Sequence, residues 1–151
     1  MDTVANGEPA VKRLETQLFN LADVFRKHQE YIKTKYKISS LEMEIIQLIV
    51  NQGKKKMKEI GQHFNIKLST LTSIIDKIER QKLVKRVNSK DDRRVVFLEV
   101  TKKGQTLHMN YSKYIQSVAS DLENVMDQGA FMSFVEGLEK MSDLVKAGEG
   151  A

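Results

Sequence analysis

Two groups of side chains in this chain have the chemistry to meet a polyanion. Ser69, Thr70, Thr72, Ser73, Lys77 and Arg80 interleave with Leu71, Ile74, Ile75 and Ile78, whose spacing is i, i+3, i+4, i+7. That spacing predicts a helix with four aliphatic residues on one face and hydroxyls and two cations on the other. Short hydroxyl side chains let a helix come close to the floor of a DNA major groove, and a threonine methyl can meet a thymine methyl. Lys77 and Arg80, further along, are expected to reach phosphates. None of the six has a strong bidentate base-reading geometry, so direct readout by this helix is modest. The second group is Lys90-Asp91-Asp92-Arg93-Arg94, which lies between two β-rich runs and sets two arginines at a hairpin tip.

Other chemistries find little support. There is no cysteine, which excludes disulfides, thiolate metal ligands and thiol redox sensing and fits a reducing cytoplasm. The three histidines, His28, His63 and His108, are far apart, with no HExxH and no carboxylate-rich partner pattern. Neither a GxSxG elbow nor a phosphate-binding GxxxxGK[ST] loop occurs. No enzyme, metal or cofactor is therefore expected. No apolar run approaches the roughly 18 to 20 residues a membrane span needs. The first residues, MDTVANGEPAVKR, lack the basic start and apolar stretch of a secretory signal.

Charge is unevenly divided. From Lys54 to Lys103 there are 15 Lys and Arg against 6 Asp and Glu, a net +9, whereas the remaining residues hold 10 against 14, a net −4. A basic middle between mildly acidic ends is the polarity of a module that sits on nucleic acid.

The elements that must position these residues follow from the apolar pattern. Leu14, Leu18, Leu21, Phe25 and Ile32 predict a long amphipathic helix from about Val11 to Lys35. Ser39 followed by Glu42 is a capping-box pattern opening a second helix with Leu41, Ile45, Leu48 and Ile49 inward. Gly53 is expected to close it as a left-handed C-cap, and Met57 to add one edge-strand position. A short helix then covers roughly Lys58 to Phe64, with Ile60 and Phe64 buried, and Gly61 predicts a second helix crossing close by. Asn65 suits a left-handed turn, and Ser69 is expected to N-cap the helix that follows. Two helices joined by about four residues form a helix-turn-helix.

Val84–Asn88 and Val95–Val100 read as two strands of a wing joined by a polar hairpin, and Thr101 as the cap of a long final helical region. There Leu107, Tyr111, Tyr114, Val118, Leu122 and Val125 keep a helical spacing, a break falls at Asp127-Gln128-Gly129, and Phe131, Phe134, Val135, Leu138, Met141 and Val145 mark a last helix. The expected fold is mainly α with a small β-wing, a winged helix-turn-helix flanked by N- and C-terminal dimerisation helices. Its parts are a tail and helix over 1–37, a DNA-binding lobe over 38–104, and two helices over 105–151.

Several motifs resemble those of the multiple-antibiotic-resistance regulator (MarR/SlyA) family of transcription factors. They are Ile38-Ser39-Ser40-Leu41-Glu42, then Lys58 through Ile66, Ser69-Thr70-Leu71-Thr72, Ile75 through Glu79, and Leu83-Val84-Lys85-Arg86. Asp91-Asp92-Arg93-Arg94, followed at fixed distance by Thr101-Lys102-Lys103-Gly104, is the most specific part. The family usually has alanine at Gly61, glycine at Lys82, and a basic or amide residue at Ser73.

The resemblance implies that the wing enters the minor groove, with Arg94 first and Arg93 second as the inserted side chain and Asp92 as the carboxylate orienting it. It further implies a homodimeric, cytoplasmic repressor on a pseudo-palindromic operator, released by a small aromatic or anionic effector. By position, His28, Tyr31, Tyr36, Met43 and Tyr111 are the candidate effector-binding residues. The alternative is a winged-helix protein–protein adaptor without DNA, against which the concentrated basic charge speaks.

Overall fold

A computed structural model describes residues 9–89, 92 and 95–148. The elements, in order, are α1 (Ala10–Tyr36), α2 (Ser40–Gln52), β1 (Lys55–Lys56), α3 (Met57–His63), α4 (Leu68–Arg80), β2 (Val84–Asn88), β3 (Val96–Val100), α5 (Lys102–Val125) and α6 (Gln128–Gly148). They fall into two compact units, residues 1–108 and 109–151, the division lying within α5.

In the first unit, α1 starts after Pro9, whose carbonyl accepts from the Lys12 and Arg13 amides. It ends where Lys37 turns left-handed at φ 60°, with Lys33 and Lys35 in the last turn, where cations suit the helix dipole. Only Ile32 of its expected seam is fully buried, while Leu14, Leu18 and Phe25 stay 45–58% exposed. The capping box of α2 forms as expected. Ser39 Oγ accepts from the Glu42 amide at 3.2 Å, and Glu42 Oε2 accepts from the Ser39 amide at 2.8 Å. Met43 and Ile46 join Ile45, Leu48 and Ile49 in the core, because α2 is covered on more than one side. Gly53 has φ 78° and ψ −173°, a positive φ with an extended ψ, so it turns the chain directly into β1 instead of forming a left-handed helical cap.

The sheet is antiparallel in the order β1–β3–β2. Val84 pairs with Val100 and Asn88 with Val96, while Lys55 and Lys56 pair with Leu98 and Phe97. The edge strand is thus made by lysines, and Met57 begins α3. The core lies where α2, α3 and α4 meet the sheet, around Ile38, Ile45, Ile46, Ile60, Leu71, Ile75, Ile78 and Leu98, all 0% exposed. Burying such aliphatic side chains is worth roughly 1.5–3 kcal/mol each.

The second unit holds the rest of α5, and α6. Asp127 starts α6, its carboxylate accepting from the Ala130 amide at 2.9 Å and its carbonyl from the Phe131 amide. Val118, Leu122, Phe134, Leu138 and Met141 are each about two-fifths exposed, and Val125 is 79% exposed. Among the described residues no helix is long and apolar enough to cross a membrane.

Candidate nucleic-acid interface

The turn that presents α4 is built from three backbone bonds and one small residue. The Phe64 amide reaches Ile60 O, the amide of Asn65, which takes φ 51°, reaches Gln62 O at 3.2 Å, and the Ile66 amide donates to Gly61 O at 2.8 Å. A Cβ on Gly61 would lie 3.1 Å from Ile66 O and 3.7 Å from Leu71 Cδ2. The crowding at Gly61 therefore comes first from the turn folding back, and only then from a side chain of the next helix. Phe64 is half-buried instead of sealed in the core.

Ser69 is not the N-cap. Lys67, in an extended conformation, holds that position, and its carbonyl accepts from the Leu71 amide, so α4 begins one residue before Ser69. No side chain caps the α4 amides. Ser69 and Thr70 are exposed in the first turn. Thr72 Oγ1 donates to Leu68 O at 2.8 Å and Ser73 Oγ to Ser69 O at 3.3 Å. Each hydroxyl proton is thereby turned back to the helix, leaving oxygen lone pairs and the Thr72 methyl for an outside partner.

Ion pairs pin α4 on both flanks. Lys77 Nζ lies 2.8 and 2.9 Å from the two carboxylate oxygens of Glu42, which is only 5% exposed. On the other flank Arg86 of β2 bridges Asp76, at 2.6 Å, and Glu79, whose Oε1 also accepts from the Arg86 amide at 3.0 Å. Gln81 Nε2 adds a bond to Lys37 O at 3.0 Å. Arg80 is exposed, and among the described residues it has no carboxylate partner. Sequence reading gave Glu42 its capping role but not its grip on Lys77, and it missed Arg86. Such partners lie 35 and 7–10 residues apart, where no local pattern signals them.

Of the wing, Lys90, Asp91, Arg93 and Arg94 lie outside the described residues. The Asp92 carbonyl accepts from the Val95 amide, and Val95 O accepts from the Ser89 amide at 2.9 Å, closing the base of the hairpin. Lys85 and Glu99 pair across the strands at 2.9 Å. Lys54 Nζ stands 4.9 Å from the Phe97 ring centre. Between the start of α4, α3 and β3 runs a cleft of about 930 Å³, lined by Lys56, Lys58, Lys67, Leu68, Thr72 and Val96 among others. Its described lining holds four cationic residues and no carboxylate.

Residues 38–96 match the model of the MarR family. Over that stretch the chain is similar to the MarR family. It is 30% identical over 70 residues to the HTH-type transcriptional regulator MhqR of Bacillus subtilis, covering 46% of this chain and 48% of that protein. The chain thus spans about half the length of the curated relatives it first matches. A MarR family protein from Bacillus stearothermophilus superposes with a TM-score of 0.73 at 25% identity, over 94% of this chain and 99% of that one. Streptococcus pneumoniae FabT, in a crystal structure in complex with DNA, superposes with a TM-score of 0.76 at 23% identity, over 91% and 96%.

The MarR-type Thr-x-x-Gly after the wing has a steric basis here. Thr101 Oγ1 donates to Lys82 O at 2.6 Å and accepts from the Gly104 amide at 3.1 Å, while the Thr101 amide donates to Leu83 O. A Cβ on Gly104 would lie 2.1 Å from Leu83 O, so no other residue fits. Lys82, where MarR relatives were expected to have glycine, has φ 60°.

Of the candidate effector residues, His28 and Tyr31 stack with ring centres 6.3 Å apart, and Tyr31 meets Tyr36 edge-on at 6.4 Å. Lys35 Nζ donates to the Tyr31 hydroxyl at 2.5 Å and stands 5.0 and 5.2 Å from the two ring centres. Its bond to Tyr31 raises the ammonium pKa. Met43 is buried in the core, and Tyr111 belongs to the second unit.

Proposed function

We propose that this chain is a MarR-family, sequence-specific, double-stranded DNA-binding transcriptional regulator and not an enzyme. It acts as a homodimeric repressor on a pseudo-palindromic operator. The observation that carries this reading is the exposed hydroxyl-rich face of α4 beside a cleft whose described lining is cationic and holds no carboxylate. With α4 in a major groove and the wing in the adjacent minor groove, the strand between them is sugar and phosphate. The cleft lies along that path, with apolar Leu68 and Val96 for the sugars and Lys58 and Lys67 for the phosphates. Ser69, Thr70, Thr72 and Ser73 take the groove floor and Arg80 a phosphate. Arg94 and Arg93, with Asp92 as orienting partner, take the minor groove. The DNA-bound state of the similarly folded FabT supports the same reading.

Homodimerisation is supported by the apolar side chains left exposed on α1, α5 and α6, such as Val11, Phe19, Val125 and Leu144, at 72–79%. Two copies would set two recognition helices on successive major grooves. His28, Tyr31 and Tyr36, which gather within the first unit, are the effector candidates. An aromatic acid would find in Lys35 and the tyrosine rings the charge and stacking surface it needs. Such a ligand acts by favouring a spacing of the reading helices that DNA does not accept. Selection from a random duplex pool tests the proposal. It should enrich a pseudo-palindrome with half-sites about one helical turn apart. Failure to enrich any duplex, with the chain folded, leaves the protein-adaptor reading in its place.

A further inference from the structure

We infer that Glu42 is a specificity-determining residue: it holds the Lys77 ammonium off the DNA phosphates and so suppresses sequence-independent binding. This rests on the DNA-binding reading above. Lys77 lies on the recognition helix in the register of Thr70, Ser73 and Arg80, where a phosphate contact is the ordinary expectation. Its ammonium instead meets both oxygens of the Glu42 carboxylate, at 2.8 and 2.9 Å. The carboxylate is 6% exposed and the lysine side chain 44%. That asymmetry decides which partner wins. A phosphate could take Lys77 only by leaving a nearly buried carboxylate with the Ser39 amide as its one remaining donor among the described residues, and an uncompensated buried charge is costly. Lys77 therefore stays with Glu42 when DNA arrives.

The opposite flank follows the same logic with the signs exchanged, since Asp76 and Glu79 are both held by Arg86. The recognition helix carries Asp76, Lys77, Glu79 and Arg80, a net charge of zero. Among its described charged residues, only Arg80 lacks a carboxylate or cationic partner. Binding common to all sequences grows with the number of phosphates neutralised. Masking a cation on the element that enters the groove removes affinity shared by every duplex. It leaves the contest between duplexes to the hydroxyl face and the wing.

The test is a salt titration of the full chain by fluorescence anisotropy on two duplexes, one selected by the wild-type chain from a random pool and one scrambled. Glu42→Gln keeps an oxygen for the Ser39 amide but cannot neutralise Lys77. It should steepen the slope of log K against log salt on the scrambled duplex by about 1.8, the value of two added phosphate contacts, one from each protomer of the dimer. The ratio of selected to scrambled affinity should fall with it. Lys77→Gln, which keeps a donor for Glu42, should leave the scrambled slope at its wild-type value, and the double variant should return to that value. A Glu42→Gln slope equal to wild type, or a loss of about 1.8 in Lys77→Gln, overturns the assignment. If Glu42→Gln does not fold, Lys77→Gln decides alone. A wild-type chain that binds neither duplex overturns the DNA-binding reading itself.

Discussion

Replacing Gly104 with alanine should damage the DNA-binding lobe although the residue touches no DNA in the proposed complex. The new Cβ would stand 2.1 Å from Leu83 O, 2.6 Å from Val100 Cγ1 and 3.1 Å from Leu83 C. Relaxed contact with a heavy atom needs roughly 3.5 Å, so α5 or the loop before β2 must move by more than about 1 Å. Leu83 O cannot yield freely, because it accepts from the Thr101 amide at 3.0 Å. Overpacking of this kind costs about 1–3 kcal/mol, and weakening the Thr101–Leu83 hydrogen bond adds roughly 1 kcal/mol. The expected loss is about 2–4 kcal/mol, a fall in Tm on the order of 10 °C for a chain of this size. Urea unfolding followed by far-UV circular dichroism, with calorimetry for Tm, reads it directly. A variant within about 0.5 kcal/mol of wild type would refute the steric account of the Thr-x-x-Gly motif.

Lys82 sets up the opposite change. At φ 60° it bears a left-handed penalty that glycine escapes, so Lys82→Gly should gain about 0.5–1 kcal/mol in the same urea titration; no gain or a loss would count against the strain. Arg80→Ala should reduce the salt slope of the dimer on any duplex by about 1.8, two lost contacts, with the fold unchanged, and an unaltered slope would remove Arg80 from the phosphate contacts. Arg94→Ala should lose discrimination between selected and scrambled duplexes; a folded variant that keeps wild-type affinity for both would exclude the wing arginine. Burial holds the His108 pKa below its usual 6.5. The unfolded chain thus takes up a proton there before the folded one does, and acidification through pH 6.5 withdraws stability. The stability difference between wild type and His108→Gln should change between pH 7.5 and 5.5, and a constant difference would be the contrary result.

Much of the lobe was legible because its cues are local. The i, i+3, i+4, i+7 aliphatics of α4, the Ser39–Glu42 capping box and the alternation of β3 each lie within a few residues of one another. Asn65 was readable as a left-handed turn because asparagine tolerates positive φ. Ser69 misled for a related reason: a good capping side chain lay near the helix start, but the extended Lys67 backbone supplied the first carbonyl. What escaped were the long-range ties. Glu42 looked fully explained by its cap, and Lys77 by its place on an outward face, until the fold brought the two within hydrogen-bond distance. Gly104 carried its signal only as part of a family motif, since the carbonyl that excludes a Cβ belongs to Leu83, 21 positions earlier.

The central claim is that this surface meets DNA, and the salt dependence of binding by the wild-type chain tests it most directly. With several phosphates neutralised by Lys58, Lys67, Arg80 and the wing, log K should fall linearly with log salt. For six or more contacts in the dimer, affinity should drop by about 10³ or more between 50 and 200 mM. Affinity for duplex DNA that is absent, or flat across that range, would contradict it.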